Sequence, residues 1–115
     1  MTRFLLDTGI AGDYLNKRRG VFERARQERA KGHRIGISVT VLAELAYGIE
    51  RSTSRDKSLR NLQVALNTLR LWPFDKSAAF EFGRIRAELT RAGRPMQVTD
   101  MMIAATAFVL GDCTV

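Results

Sequence analysis

Short apolar runs of strand length alternate along this chain with segments of helical period, and that alternation narrows the fold more than any other feature. Phe4-Leu5-Leu6 is a compact apolar run that stops at Asp7, as a buried parallel strand ends on a polar residue at its tip. Arg34-Ile35-Gly36-Ile37-Ser38 alternates like a second strand. Leu71, Trp72 and Phe74 around Pro73 form a third, placed at a sheet edge because proline cannot donate to a ladder. Between these runs the period changes. Ile10, Tyr14 and Leu15 predict a short helix from Thr8 that is broken at Gly20, and Val21, Phe22, Ala25 and Ala30 predict a second that ends at Gly32. Val39, Leu42, Leu45, Ala46 and Ile49 recur at helical spacing, with Ser38 or Thr40 able to cap the helix. The polar stretch Arg51 to Lys57 reads as a loop, after which Leu59, Leu62, Leu66 and Leu69 line one face of the next helix. Asp75 then caps a helix whose face is Ala79, Phe82, Ile85 and Leu89 and whose stop is Gly93. Thr99 caps a last apolar helix, Asp100 through Leu110, and Cys113-Thr114-Val115 begins a strand. The pattern predicts one α/β domain over residues 1–115, with a short parallel sheet covered by helices on both faces.

Size and composition agree with that reading. A chain of 115 residues is the size of one compact core, and 45% apolar with 27% charged residues is the balance of a globular protein. Cys113 is the sole cysteine and His33 the sole histidine, which excludes an internal disulfide and a zinc site of Cys and His ligands, so any metal must be held by oxygen. No apolar run is long enough to span a bilayer, and MTRFLLD reaches an acid before a signal-peptide core could form; the expectation is a cytoplasmic protein with no membrane partner. The net charge is +7, and its placement matters more than its size. Between Lys17 and Arg34 eight cations face only Glu23 and Glu28, a local excess of 8 − 2 = +6. Such a window is either a solvated helix face or a contact for a polyanion such as nucleic acid, with Arg18, Arg19, Arg24 and Arg26 as the candidate contacts.

In parallel sheets, sites form beyond the carboxyl ends of the strands. Three acids fall there: Asp7 at the tip of the first strand, Glu44 one to two turns into the helix leaving the second, and Asp100 at the start of the last helix. Asp7 can cap its helix and Asp100 can favour a helix start through the macrodipole, which would leave both purely structural. Glu44 fits a surface role badly, because Val41, Leu42, Ala43, Leu45, Ala46 and Tyr47 make its helix apolar nearly all round. No basic residue occurs between Ile35 and Glu50 to pair with it. Converging carboxylates repel unless a cation joins them, and Mg²⁺ or Mn²⁺ is the hard ion that oxygen-only donors bind. Caps and a metal cluster both remain open on these residues alone.

The strand tip LLDTGI, the helix segment SVTVLAELAYGIERS and the block GRIRAELTRAGRPMQVTDMMIAATAFVLGDCTV resemble, in order and spacing, the PIN-domain ribonucleases of the VapC toxin family. The resemblance runs over essentially the whole chain. It implies an α/β/α PIN-like sandwich and an Mg²⁺- or Mn²⁺-dependent endoribonuclease acting on structured RNA such as tRNA. It also implies a VapB-type antitoxin partner and a homodimer. The family's acids fall on Asp7, Glu44 and Asp100 as catalytic and metal-binding residues, with Thr8 in the position of the hydroxyl that follows the first acid. Family members continue past the strand at Cys113 into a motif that supplies a fourth acidic or amide group. The expectation for a chain ending at Val115 is an incomplete last strand and weak cleavage, the alternative being an inactive relative that binds RNA or antitoxin.

Overall fold

The computed structural model describes residues 1–111 together with the backbone of 113–114. The chain runs β1 (Arg3–Leu5), α1 (Thr8–Leu15), α2 (Val21–Ala30), β2 (Arg34–Ser38), α3 (Val39–Glu50), α4 (Arg55–Ala65), β3 (Arg70–Trp72), α5 (Lys76–Arg91), α6 (Val98–Leu110) and β4 (Cys113–Thr114). The strands lie in the order β3-β2-β1-β4, and every pairing is parallel. This is the expected α/β sandwich, with β3 at one edge as the proline beside it required. Asp112 and Val115 lie outside the described residues, and with them the expectation about how the last strand ends. Among the described residues no helix is long and apolar enough to cross a membrane.

The order of the strands sets where function can sit. The sheet reverses its direction of growth at β1, with β2 on one side and β4 on the other, so the switch point of the topology lies at the carboxyl end of β1. Three caps hold helix starts. Asp7 accepts from the Ile10 amide at 2.9 Å, Ser38 from the Val41 amide at 3.1 Å and Asp75 from the Ala78 amide at 2.9 Å. Ser38 rather than Thr40 therefore caps α3, because the strand feeds straight into the helix and leaves Ser38 in the extended conformation that a cap requires. The expected cap at Thr99 is not formed. α6 begins two residues earlier than expected, at Val98, with Gln97 at the cap position and no side-chain bond.

Leu5, Ile35, Ile37 and Val41 form the centre of the core, joined by Ala11 and Tyr14 of α1, Leu69 and Ile103. Of the leucine face read for α4, Leu62 is buried on the helix, but the helix runs only Arg55–Ala65: it starts inside the stretch read as a loop, Leu66 is its C-cap, and Leu69 is buried beyond it on the way into β3. α5 packs chiefly on α6. Its buried alanine is Ala78 and not Ala79, because the Asp75 cap starts the helix with Ala78 turned inward. The expectation that α3 has little solvated face is also corrected: Val39, Ala43 and Tyr47 are exposed, Tyr47 by 63%. Among the described residues no layer covers that side of the helix.

Gly36 is fixed by close approach. A Cβ there would lie 2.5 Å from the Arg70 carbonyl oxygen and 2.7 Å from the Arg70 Cβ, so β2 and β3 could not keep their register. Gly36→Ala is expected to destabilise the fold by about 1–3 kcal/mol. Gly48→Ala, in α3 with nothing within 4 Å of the new methyl, should stabilise it by about 0.4–1 kcal/mol. Paired urea melts with unchanged slopes measure both.

Candidate active site

The carboxyl edge of the sheet gathers the starts of α1, α3 and α6, because each of these helices either leaves a strand tip or returns antiparallel to β4. Asp7 stands at the tip of β1, solvent-exposed, with its side chain turned to the Ile10 amide. Thr8 opens α1, and its hydroxyl donates to Glu44 Oε1 at 2.5 Å. Glu44 is half-buried in the second turn of α3. The topology therefore brings Asp7, Thr8 and Glu44 together across α1 and α3. Asp100 is exposed in the first turn of α6, a helix that packs against α3. Among the described residues no three Asp, Glu, His or Cys side chains converge tightly enough to enclose an ion. Asp7 accepts from the Ile10 amide of the helix it caps, and Glu44 accepts from Thr8 across α1 and α3.

What distinguishes these acids is the lack of a basic partner in a chain of net charge +7. Asp13 faces Arg18 and Arg19, Glu23 faces Arg26, Glu28 faces Arg24 and Lys31, Glu50 and Asp56 face Arg55, and Glu81 and Glu88 face Arg84. Among the described residues only Asp7, Glu44, Asp75 and Asp100 have no such partner, and Asp75 is accounted for as a cap. The remaining three are the acids at the carboxyl edge. Oxygen-only donors left uncompensated by protein cations fit a divalent ion of the Mg²⁺ or Mn²⁺ type in chemistry.

Thr40 adds a residue that the sequence gave only as an alternative cap. It is 6% exposed, one helical turn before Glu44, and its hydroxyl is buried without a hydrogen-bond partner. The i, i+4 spacing to Glu44 was the available signal.

The basic window is less free than its composition suggests. Asp13, before the window in sequence, folds against it: its carboxylate lies 3.4 Å from Arg18 and 3.6 Å from Arg19. Arg24 donates to Glu28 at 3.1 Å, and Arg26 lies 3.6 Å from Glu23. The four arginine side chains still stand 61–83% exposed. The Arg24 guanidinium, assisted by Lys31 and opposed by burial, holds the Glu28 carboxyl below its ordinary range. A lowered folded-state value stabilises the fold above the unfolded-state range and is lost as pH falls through the folded value. Removing Glu28 as Gln should therefore flatten the acid limb of a plot of melting temperature against pH, and a limb unchanged from wild type would reject that assignment.

Residues 4–114 match the PIN domain family model. The chain belongs to the PIN-domain family, in its VapC ribonuclease branch. It is 37% identical over 108 residues to the tRNA(fMet)-specific endonuclease VapC of Shigella flexneri, covering 93% of this chain and 80% of that one. It is 32% identical over 104 residues to Ribonuclease VapC2 of Rickettsia felis, covering 90% and 78%. Among solved structures it is similar to the toxin-antitoxin complex VapBC from Salmonella typhimurium bound to DNA. There the TM-score is 0.86 at 35% identity, over 96% of this chain and 83% of that one. VapBC2 from Rickettsia felis, bound to a promoter fragment, matches with a TM-score of 0.84 at 30% identity over 92% and 80%.

Proposed function

We propose that this chain is the nuclease toxin of a VapBC-type pair, a metal-dependent endoribonuclease acting on structured, tRNA-like RNA in the cytoplasm and restrained by a VapB-type antitoxin. The observation that carries the reading is the set of three carboxylates, Asp7, Glu44 and Asp100, left without cations at the switch point of a basic chain. These three would hold Mg²⁺ or Mn²⁺, which when bound polarises the scissile phosphate and lowers the pKa of water for in-line attack, giving a 5′-phosphate and a 3′-hydroxyl. Thr8 positions Glu44 through its hydroxyl bond. The amino ends of α1, α3 and α6 turn their positive dipole ends to the same edge, where they would add to a bound ion's attraction for an RNA phosphate. Arg18, Arg19, Arg24 and Arg26 supply exposed guanidinium groups for the RNA backbone.

Two surfaces support the partners. An apolar groove of about 470 Å³, floored by Phe4, Leu6, Ile10 and Ile35 and rimmed by Arg19 and Arg24, suits an antitoxin segment that is apolar on one face and acidic on the other. Binding there would occupy two of the arginines offered to RNA, so restraint and substrate would compete. The uncovered strip Val39, Ala43 and Tyr47 on α3, spaced at i, i+4 and i+8, suits a second copy of the chain. Ala43→Glu is expected to shift the protein from dimer to monomer in light scattering at about 10 μM while leaving its melting transition cooperative. A wild-type monomer at that concentration would remove the homodimer.

Millimolar Mn²⁺ should raise the melting temperature of the wild type. Asp7→Asn, Glu44→Gln and Asp100→Asn should each reduce that rise and abolish cleavage of a labelled RNA. Thr8→Val should weaken the ion by about 10- to 100-fold without removing it. Melts insensitive to metal in every variant would reject the site, whereas stabilisation without cleavage would leave a binding protein of the same fold.

A further inference from the structure

We propose that the amino edge of the sheet, opposite the carboxylates, is a second anion site that takes a phosphate group. β1, β2 and β3 open on Arg3, Arg34 and Arg70, so three adjacent parallel strands begin with a guanidinium. Arg3 and Arg34 are register partners, an arrangement of like charges that destabilises a ladder unless something offsets it. Arg3 is occupied: it donates to the Leu110 carbonyl at 3.0 Å. Arg34 and Arg70 meet no carboxylate among the described residues.

Beside them a cavity of about 570 Å³ opens between the α2–β2 and α4–β3 connections. Arg29, His33, Arg34, Asn67, Thr68 and Arg70 are among its lining residues, and no acid is. Arg29 lies over the Tyr14 ring at 5.7 Å, and its Nη2 donates to the Tyr14 hydroxyl at 3.2 Å. Its Nη1 is buried with no partner. The Tyr14 hydroxyl is held in turn by Thr68 at 2.8 Å, which fixes the guanidinium to both walls of the cavity. The nearest acid, Glu28, lies 3.7 Å from His33 but also serves Arg24 and Lys31, so it is already compensated.

Three guanidinium groups, one with a free buried donor, beside the Asn67 amide and with no acid in the lining form the donor-rich chemistry that recognises phosphate. The carboxylate edge needs a divalent ion before it can accept a phosphate, and this edge does not. Binding here is therefore metal-independent, which separates it from the proposed nuclease reading. The phosphate can come from a free nucleotide or from the backbone of an RNA that wraps the sheet from one edge to the other.

The test uses the full chain carrying Asp7→Asn, in EDTA, so that neither cleavage nor the metal site contributes. Inorganic phosphate, AMP and a fluorescent single-stranded oligoribonucleotide are titrated against this protein and against Arg34→Gln/Arg70→Gln. The expected result is a melting temperature raised by phosphate over chloride at equal ionic strength, and about tenfold weaker phosphate binding in the double variant. With RNA as the source, the log–log salt slope falls by about 1.4, roughly 0.7 for each lost contact. Arg86→Gln/Arg91→Gln, exposed on α5, leaves phosphate binding unchanged. AMP binding lost without a change in RNA slope assigns the free nucleotide; the reverse assigns the RNA backbone. Arg34→Lys/Arg70→Lys keeps the charge but not the fork, and gives an intermediate loss if the glutamine pair does not fold. Absence of a phosphate-specific shift in the wild type, or equal affinities in wild type and both double variants, overturns the proposal.

Discussion

Parallel pairing is the constraint on which the rest of this structure depends. Because β1, β2, β3 and β4 all run the same way, each connection must cross back over the sheet, and the helices that make those crossings deliver their ends to defined edges. Strand tips and helix starts coincide at the carboxyl edge, so Asp7, Glu44 and Asp100 share that edge although 37 and then 56 residues separate them in sequence. The same geometry requires Gly36. With the Arg70 carbonyl where it is, any side chain at that position would force β3 away and take the α4 and α5 connections with it.

The charges follow that polarity. Most acids of the described chain are spent on arginines within a few residues, as at Arg84 between Glu81 and Glu88, or Arg55 between Glu50 and Asp56. Such exposed pairs each contribute little to stability. Their consequence is the residue they leave: uncompensated carboxylates at one end of the sheet and uncompensated guanidinium groups at the other. A short sheet with opposite charge at its two edges has a field along its strands.

Much of this was legible in the sequence where the signal is local. The alternation of Arg34 to Ser38 marks β2 at its observed bounds, and Ser38 and Asp75 cap the helices that follow because each sits just after an extended segment. The failures share a cause. Thr99 has the right chemistry for a cap but lies inside the first turn, since the chain enters the helix at Val98. α3 reads as apolar nearly all round, with little solvated face, yet apolarity does not say whether a covering layer belongs to the same chain; among the described residues Tyr47 meets Arg51 of its own helix end and stays 63% exposed. Asp13 and Glu28 were counted as ordinary charges. Glu28 gathers Arg24 and Lys31 at i, i+4 and i, i+3, a spacing legible in the sequence, whereas Asp13 gathers Arg18 and Arg19 because the turn after α1 folds back on it, which no helical spacing marks.

Two buried polar atoms are unpartnered among the described side chains, Arg29 Nη1 and Thr40 Oγ1, and they sit at opposite ends of the sheet. A buried donor or hydroxyl without a partner costs about 1–3 kcal/mol, a large fraction of the stability of a domain this size. Either could be removed cheaply in principle: valine has the shape of Thr40 without the hydroxyl, and Arg29 ends a helix at the surface side of the core. Elsewhere the same chain satisfies its polar groups closely, down to the Tyr14 and Thr68 hydroxyls that hold each other across 54 residues. Local optimisation thus fails at the two edges where charge is also left unbalanced, the places where a sequence that is consistent elsewhere departs from its own local rules.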